Sequence, residues 1–180
     1  MSPDQQDPHR ASLRLCYQGS KFGFEVAALR LPNGTEGEYE VIRHPGGAMA
    51  VPVTEEGRFV LVRQYRFPVG DWLLEFPAGT MEPGETPEAT IRREIEEETG
   101  HRAHQWLDLG RFPLAPGYSD EYIHAFLARE LEPLADPPAQ DDDEDIETVL
   151  LSADELADAI LAGRVDAKTV SGFFLAGRHL

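Results

Sequence analysis

The sequence predicts a protein of the α/β class. Short segments with the alternating apolar and polar pattern of β-strands fill most of its first half and recur after residue 105. Two segments have the start and stop signals of helices, and a third helix is expected near the end of the chain. The chain has 180 residues, of which 41% are hydrophobic, enough to bury one proper core. The pattern therefore indicates one main domain built from strands and helices.

The first 42 residues predict an antiparallel β meander. Residues 1–12 are polar and contain proline, and we expect them to form a frayed tail. Short alternating segments follow between residues 13 and 42, separated by glycines, and Asn33-Gly34 is the clearest hairpin turn among them. We therefore divide the chain into a meander at residues 1–42 and a second domain at residues 43–180.

Strands and helices alternate along the second domain. Three strands are expected at 48–53, 58–65 and 72–76, before an acidic helix. Three more are expected at about 106–112, 122–128 and 146–151, the last after a loop rich in proline and aspartate. A capping box from Ser152 to Glu155 opens a helix that Gly163 ends, and a final helix is expected at about 167–178.

The acidic helix has clear local signals at both ends. Thr86 has the hydroxyl of an N-cap, and Pro87 suits the first helical position. Glu88 suits the positive end of the helix dipole, and Gly100 suits the left-handed residue past the last turn. These signals predict a helix between Thr86 and Gly100.

Four carboxylates in this segment predict a site for a divalent metal. Glu94, Glu97 and Glu98 are spaced i, i+3 and i+4, so a helix places them on one face, and Glu85 lies in the loop just before it. The alternative is a surface helix with solvated Glu–Arg pairs, which is the usual explanation of a charge-rich helix. The metal is favoured because the helix has more acids than its two arginines can neutralise.

Charge and cysteine content narrow the partners and the compartment. The net charge of −17 and the pI near 4.6 argue against binding to nucleic acid or to an anionic membrane. A single cysteine, Cys16, cannot form an internal disulfide and suits a reducing cytoplasm. The sequence has neither a secretory signal pattern nor a run of eighteen apolar residues. We therefore expect a cytoplasmic protein without nucleic-acid or membrane partners.

The acidic segment resembles a known family. The pattern G-x5-E-x7-R-E-U-x-E-E-x-G-U, in which U is aliphatic, is the Nudix box. The sequence matches it at Gly79, Glu85, Arg93, Glu94, Ile95, Glu97, Glu98 and Gly100. It departs at His101, where the family usually has an aliphatic residue that packs against the sheet. The resemblance implies a Nudix α/β/α sandwich with a mixed central sheet, preceded here by the N-terminal antiparallel β meander, and hydrolysis of a nucleoside diphosphate linked to another group.

Segments outside the box resemble ADP-ribose pyrophosphatases in order and spacing. They are LVRQYR at 61–66, EFPAG at 75–79 and APGYSDE at 115–121. Pro116 lies sixteen residues beyond Gly100, at the distance where that group has a proline. The resemblance implies Mg²⁺-dependent hydrolysis of the pyrophosphate bond of ADP-ribose to AMP and ribose 5-phosphate, by a metal-activated water.

Other functions within the same family stay open from the sequence. A broader pyrophosphatase of ADP- and GDP-sugars shares much of the pattern. A catalytically silent Nudix module for ligand sensing is expected to lose box glutamates, and all four are intact here. Hydrolases of nucleoside triphosphates are usually shorter and lack the meander and the APGYSDE-type loop.

The resemblance also implies roles for the box residues. Glu94 and Glu98 are the main metal ligands, Glu97 assists in metal binding and catalysis, and the backbone carbonyl of Ala78 completes the site. Arg93 and Glu85 are expected to form an ion pair that holds the loop against the helix. Mg²⁺ is the expected cofactor, with Mn²⁺ as the alternative, because both are hard cations that prefer oxygen ligands.

The substrate is expected to be a small nucleoside-diphosphate sugar. Alternation along the strand places Gln64 and Arg66 on one side, where they are candidates for the phosphates and bound waters, and Arg63 on the other, where its role stays open. Further candidate substrate residues are Glu82, Glu121, which resembles a contact to the terminal ribose, and Pro116. A stacking partner for the base among the N-terminal aromatics, Tyr17, Phe22, Phe24 and Tyr39, is not singled out.

Two further expectations follow from the resemblance. The general base is expected in a late acidic loop, and Glu144 is favoured there, with Asp142 second; the alternative is a solvated acidic loop. The family also frequently exchanges its N-terminal strands between subunits, so that two active sites share residues from both chains. We therefore expect a homodimer formed through the meander.

Overall fold

The computed structural model describes residues 10–138 and 145–180. Within these residues, ten strands and three helices follow one another. They are β1 (Arg10–Gln18), β2 (Gly23–Arg30), β3 (Glu36–Arg43), β4 (Gly47–Pro52), β5 (Phe59–Arg66), β6 (Asp71–Glu75), β7 (Ala78–Thr80), α1 (Pro87–Thr99), β8 (His101–Pro113), β9 (Tyr122–Pro133), β10 (Ile146–Leu151), α2 (Ala153–Leu161) and α3 (Ala167–Ala176).

The chain forms two compact units. The first contains the residues up to Gly46 together with Pro113–Glu121, and the second contains Gly47–Phe112 and Tyr122–Leu180. The loop at 113–121 thus belongs to the unit of the N-terminal strands, although it follows the acidic helix in the chain. The division at residue 42 made from the sequence stays a prediction.

The first unit is the expected antiparallel meander, with β2 between β1 and β3. Its β2–β3 turn is the predicted one: Asn33 accepts a hydrogen bond from the Thr35 backbone N–H at 3.0 Å, and Gly34 has a φ of 87°. Strand β1 already begins at Arg10, which pairs with Leu29 of β2. The expectation of a frayed tail up to residue 12 is therefore wrong for its last three residues, because backbone pairing extends to them.

The second unit contains two sheets. One has the order β10-β5-β6 and is antiparallel, and the other has the order β7-β4-β9-β8. In the second sheet β4 runs parallel to β9 and antiparallel to β7. The expected mixed sheet is therefore confirmed.

Helix α1 covers one face of β4. Every residue of β4 is buried, so its side chains pack on both faces of the sheet. Ala48 and Ala50, two residues apart and so on the same face, belong to one buried cluster with Ile91 and Ile95 of α1. The small alanines let the helix lie close to the strand.

Helix α3 covers the opposite face of β4. A Cβ added to Gly172 of α3 would lie 2.5 Å from Met49 Cε and 3.0 Å from Val51 Cγ2. Met49 and Val51 alternate with the alanines that face α1, so they point the other way. The core of the second unit thus has helices on both sides of β4, as the α/β/α class requires.

Some elements are longer or shorter than expected. Strand β8 starts at His101, directly after α1, rather than near residue 106, and β9 continues to Pro133. His101 Nδ1 lies 2.8 Å from the Thr99 carbonyl oxygen, so the departure from the box is accommodated by a local polar contact. Helix α3 ends at Ala176, two residues before the expected end. Among the helices of the described residues, none is both long and apolar enough to cross a membrane.

Candidate active site

The predicted caps of α1 are confirmed. Thr86 accepts a hydrogen bond from the Ala89 backbone N–H at 3.2 Å, and Pro87 is the first helical residue. Gly100 has a φ of 67° and donates its N–H to the Glu96 carbonyl at 3.1 Å. These caps set where the helix begins and ends, and so fix which of its faces carries the glutamates.

Glu94 and Glu98 both reach the backbone of β7. Glu98, only 3% exposed, accepts a hydrogen bond from the Ala78 N–H at 3.1 Å. A Cβ added to Gly79 would lie 1.8 Å from Glu94 Oε1, so this carboxylate occupies the space that a side chain at Gly79 would need. The two carboxylates, one helical turn apart, therefore converge on one short strand, and the glycine makes their approach possible.

Arg93 is shared by three carboxylates. Its Nη1 lies 2.8 Å from Glu94 Oε1 and 2.8 Å from Glu97 Oε2, and its Nε lies 3.4 Å from Glu85 Oε1. The expected Arg93–Glu85 ion pair is thus present. Burial alone lowers the pKa of Arg93, but the hydrogen bond to Glu85 and the charges of Glu94 and Glu97 outweigh it and raise the pKa. The Arg93 guanidinium therefore stays cationic, and the three carboxylates around it leave an excess of negative charge.

Glu85 organises the loop before α1. One of its carboxylate oxygens, Oε2, accepts hydrogen bonds from the Glu82 backbone N–H at 3.1 Å and from the Thr90 hydroxyl at 2.9 Å. These bonds, with the one from Arg93, hold the pKa of Glu85 below its ordinary value. In this arrangement Glu82 contributes its backbone to the loop, and its side chain is exposed.

The oxygen donors fit a hard divalent cation, although they are not a closed cage. Within residues 10–138 and 145–180, no three acidic, histidine or cysteine side chains are gathered as a ready-made metal site. Glu94 and Glu98 converge on β7, while Glu97 points to Arg93. Carboxylate and backbone oxygens are the donors that Mg²⁺ and Mn²⁺ prefer, and Mg²⁺ in particular keeps several waters when it binds to proteins. The metal roles of Glu97 and of the Ala78 carbonyl stay predictions.

Arg66 belongs to a second charged group, at the end of β6. Its Nε and Nη2 donate to the two carboxylate oxygens of Glu75, at 2.6 and 2.7 Å. Glu75 is 2% exposed and also contacts Lys168 of α3, which in turn contacts Asp166. Burial raises the pKa of Glu75, but the hydrogen bonds from Arg66 and the charge of Lys168 outweigh it and lower the pKa to about 2. Glu75 is therefore ionised at neutral pH.

Arg66 also lies within electrostatic reach of the metal candidates. The hydrogen bonds that Arg66 donates to Glu75 raise the pKa of Arg66 above its ordinary value, against the effect of burial, and the charge of Glu98 acts in the same direction. Glu75 is the last residue of β6 and stands three positions before Ala78 of β7. The two charged groups are therefore neighbours along the chain and influence each other.

Gln64 and Arg63, the other candidate substrate residues on β5, have different surroundings, as the alternation of side chains along a strand predicts. Gln64 is buried and pairs with Leu73 of β6. Arg63, on the other side, lies over the Trp72 ring at 4.4 Å and 3.4 Å from Glu147. Arg63 thus has structural partners of its own, and a substrate role for it stays a prediction.

Glu121 and Pro116 lie in the first unit. Glu121 donates its backbone N–H to the Ser119 hydroxyl at 3.2 Å, and its carboxylate lies 3.7 Å from His44 Nδ1. The loop is attached to the end of β3, since Ile42 donates its N–H to the Tyr118 carbonyl at 2.7 Å. Both substrate roles stay predictions. Asp142 and Glu144, the candidate bases, lie outside the described residues.

Sequence reasoning missed the residues around Glu75. Glu75 lies in the EFPAG segment, but it was used there only as a mark of resemblance. Lys168 and Asp166 are 93 and 91 positions away in the chain, and only the N-cap pattern Asp166-Ala-Lys-Thr169 signals that these side chains are close to each other.

The chain is similar to known proteins along most of its length. The sequence model of the NUDIX domain matches residues 43–171. The chain is 37% identical to an ADP-ribose pyrophosphatase of Bacillus subtilis, over 85% of this chain and 83% of the relative. It is also 37% identical to a methanol dehydrogenase activator of Bacillus methanolicus, over 86% and 84% of the two chains. A crystal structure of an ADP compounds hydrolase superimposes with a TM-score of 0.81, covering 97% of this chain and 95% of the other; at 24% identity this likeness shows the fold.

Proposed function

Because this chain belongs to the Nudix family of hydrolases, we propose that it hydrolyses ADP-ribose to AMP and ribose 5-phosphate. The observation that carries the proposal is the convergence of Glu94 and Glu98 on β7, next to Arg66 and its buried carboxylate partner. The first group offers negative charge to a metal ion, and Arg66 of the second offers its guanidinium to a diphosphate. The resemblance to an ADP-ribose pyrophosphatase over most of both chains supports the choice of substrate.

Nudix pyrophosphatases generally need a divalent metal, and we propose Mg²⁺, with Mn²⁺ as the alternative. Glu94 and Glu98 would hold it, assisted by Glu97 and the Ala78 carbonyl. When bound, such a cation neutralises charge on the phosphate oxygens and activates a water for attack on phosphorus. The site's own residues supply the ligands and their orientation.

The protein residues orient the reacting groups. The Ala78 N–H holds the carboxylate of Glu98, and the absence of a side chain at Gly79 leaves room for that of Glu94. Arg93 ties the loop that ends at Glu85 to α1. Arg66, with Gln64 on the same side of β5, would bind the diphosphate. Because these groups are set by backbone contacts and buried partners, little reorganisation is required when the substrate binds.

We assign the general base to Glu144, with Asp142 as the second candidate. Both precede β10, whose first residue, Ile146, pairs with Gln64 of β5. The described chain thus enters the sheet at Ile146, beside the strand that carries Arg66. A carboxylate arriving there would remove a proton from the attacking water.

Three further residues are assigned to the substrate: Glu121, which would hydrogen-bond the terminal ribose, Pro116 and Glu82. We propose that the meander pairs two chains into a homodimer in the cytoplasm. Sedimentation equilibrium tests the assembly: a mass of about twice the 20.0 kDa chain is expected, and a monomer at all concentrations contradicts it.

The substrate is tested with a panel of diphosphates in the presence of Mg²⁺ or Mn²⁺. The panel contains ADP-ribose, ADP-glucose, GDP-mannose, diadenosine polyphosphates, flavin adenine dinucleotide and nucleoside triphosphates, and products are identified by chromatography. The highest kcat/KM is expected for ADP-ribose, with AMP and ribose 5-phosphate in equal amounts. Preference for another member by about tenfold or more would replace the proposed substrate by that one.

A further inference from the structure

Lys168 is a buried lysine that the proposed mechanism does not use. It lies in the first turn of α3, is 6% exposed, and its ammonium group contacts the carboxylates of Glu75 and Asp166. Burial lowers the pKa of Lys168, but the charges of Asp166 and Glu75 outweigh it and raise the pKa. A buried ammonium is costly unless it is paired, and these two carboxylates pair it.

Glu75 is shared by two cations. Arg66 donates to both of its carboxylate oxygens, and Lys168 contacts one of them, Oε2. With Asp166, which lies on the Lys168 side, the group has two positive and two negative charges. The ammonium therefore draws part of the charge of Glu75, which leaves Arg66 less neutralised than in an isolated pair.

The pair with Glu75 also sets the direction of the guanidinium. The carboxylate occupies the fork formed by Nε and Nη2, at 2.6 and 2.7 Å, and this bidentate contact orients the guanidinium. Nη1 lies outside this fork. Because the Arg66 side chain is 40% exposed, its remaining edge can meet a ligand without breaking the pair.

We propose that Lys168 is a positioning residue of the reaction: it holds Glu75 so that Arg66 presents its Nη1 edge to the substrate diphosphate. The inference rests on the proposed function for the identity of the diphosphate. Lys168 itself does not touch the substrate, and it acts only through Glu75 and Arg66.

The alternative is that the first turn of α3 only braces the chain between β6 and β7, and this alternative predicts a different result. The Phe76 backbone N–H donates to the Thr169 hydroxyl at 2.9 Å, so α3 also holds the chain directly after Glu75 by an uncharged contact. If α3 only braced the β6–β7 connection, loss of this bond would affect turnover as loss of Lys168 does. If the charge of Lys168 matters, its effect will depend on Arg66, and that of Thr169 will not.

A double-mutant cycle separates these roles. kcat/KM for ADP-ribose is measured for the wild type, Lys168→Met, Arg66→Ala and the double variant, with Tm recorded for each. Lys168→Met is expected to lower kcat/KM by about tenfold or more in the wild type, and by less than about twofold in the Arg66→Ala background. Equal losses in both backgrounds, or no loss in the wild type, would overturn the inference.

Matched variants in the same turn serve as controls. Asp166→Asn removes a charge beside Lys168 but keeps an N-cap, and it is expected to change kcat/KM by less than about threefold. Thr169→Val removes the bond to Phe76, and any loss it causes is expected to be the same with and without Arg66. A Thr169→Val effect that also disappears in the Arg66→Ala background would overturn the charge-specific role.

The cycle remains informative if one variant or the substrate fails. Should Lys168→Met not fold, Lys168→Gln, which keeps a hydrogen-bond donor without the charge, replaces it with the same expected dependence on Arg66. If the wild type does not hydrolyse ADP-ribose, the proposed function fails by itself. The cycle is then run on the diphosphate of the panel that is hydrolysed, and its result judges the positioning role alone.

Discussion

The two charged groups of the second unit have opposite stoichiometry. Around Arg93, one arginine is shared by three carboxylates, whereas around Glu75, one carboxylate is shared by an arginine and a lysine. The first group has an excess of negative charge, whereas the second has two cations and, with Asp166 beside Lys168, two carboxylates, so that its charges balance. Between them only Phe76 and Pro77 connect β6 to β7. The comparison teaches that one short stretch of chain can bring a cluster of carboxylates and a guanidinium, the proposed partners of a metal ion and a diphosphate, next to each other.

The two groups also differ in what they contribute to stability. Glu75 and Lys168 are almost fully buried, and removal of one partner of such a pair typically costs about 3–5 kcal/mol. Arg93 and its partners are partly exposed, and ion pairs of that kind contribute about 0–1 kcal/mol each. Substitutions in the group around Arg93 are therefore expected to affect activity, and those in the group around Glu75 to affect both activity and stability.

The largest effect is expected from the acidic group. Glu98→Gln keeps an oxygen that can accept the Ala78 N–H but removes the charge that a metal ion needs. Turnover of ADP-ribose with Mg²⁺ should be abolished while Tm changes little. Glu96→Gln, on the same helix but paired with Arg102 at 2.7 Å, is the matched control and should keep its activity. Unchanged turnover of Glu98→Gln would remove Glu98 from the metal site.

A slightly smaller effect is expected from the acidic loop before β10. If Glu144 is the base, Glu144→Gln should lower kcat by about 10²-fold or more with KM little changed. Steady-state kinetics separate the two constants, with Asp142→Asn measured beside it. A loss confined to KM would make Glu144 a binding residue, and a larger loss in Asp142→Asn would exchange the two assignments.

Two glycine substitutions sharpen the contrast between function and stability. At Gly79 a new methyl group would displace the carboxylate of Glu94, which is the end of a flexible side chain, so Gly79→Ala should lower kcat/KM by about tenfold or more with a small change in Tm. At Gly172 it would meet Met49, Val51 and Phe76 in the core, so Gly172→Ala should lower Tm instead. The opposite pattern would contradict the placement of Glu94 over β7.

The smallest effect concerns the pH dependence of stability. The pKa of Glu75 is lowered from 4.5 to about 2, because Arg66 and Lys168 outweigh the effect of its burial. Its contribution to the free energy of unfolding is therefore fully present above pH 4.5 and is lost as the pH falls from there towards 2. Urea unfolding across this range should show a steeper loss in the wild type than in Glu75→Gln. Parallel curves for the two proteins would mean that Glu75 does not titrate in this way.

The group of charged residues around Arg93 could be predicted from the sequence, and the group around Glu75 could not. Local signals specify α1: Thr86, Pro87 and Gly100 determine its ends, and the spacing of its glutamates then determines their common face. Glu75 and Lys168 are 93 positions apart, and their contact depends on how α3 packs against the sheet. A lysine in the first turn of a helix is usually on the surface, so nothing local marks Lys168 as buried.

For the first unit, too, the sequence predicted a local feature but not a long-range one. The Asn33-Gly34 turn could be predicted because the turn needs a residue with a positive φ, and glycine adopts that conformation easily. The attachment of the loop at 113–121 to the first unit depends on backbone bonds such as that from Ile42 to Tyr118, which no local pattern specifies. Long-range backbone pairing is thus the part of the fold that sequence periodicity does not reveal.

Binding of Mn²⁺ to matched double variants tests the central contrast most directly. Glu94→Gln with Glu98→Gln removes the two carboxylates that converge on β7, and Glu88→Gln with Glu96→Gln removes two charges from the same helix that are paired with Arg92 and Arg102. Mn²⁺ affinity is measured by electron paramagnetic resonance without substrate. We predict that the first variant loses binding by about tenfold or more while the second binds like the wild type. Equal affinities in the two variants would contradict a metal site at Glu94 and Glu98.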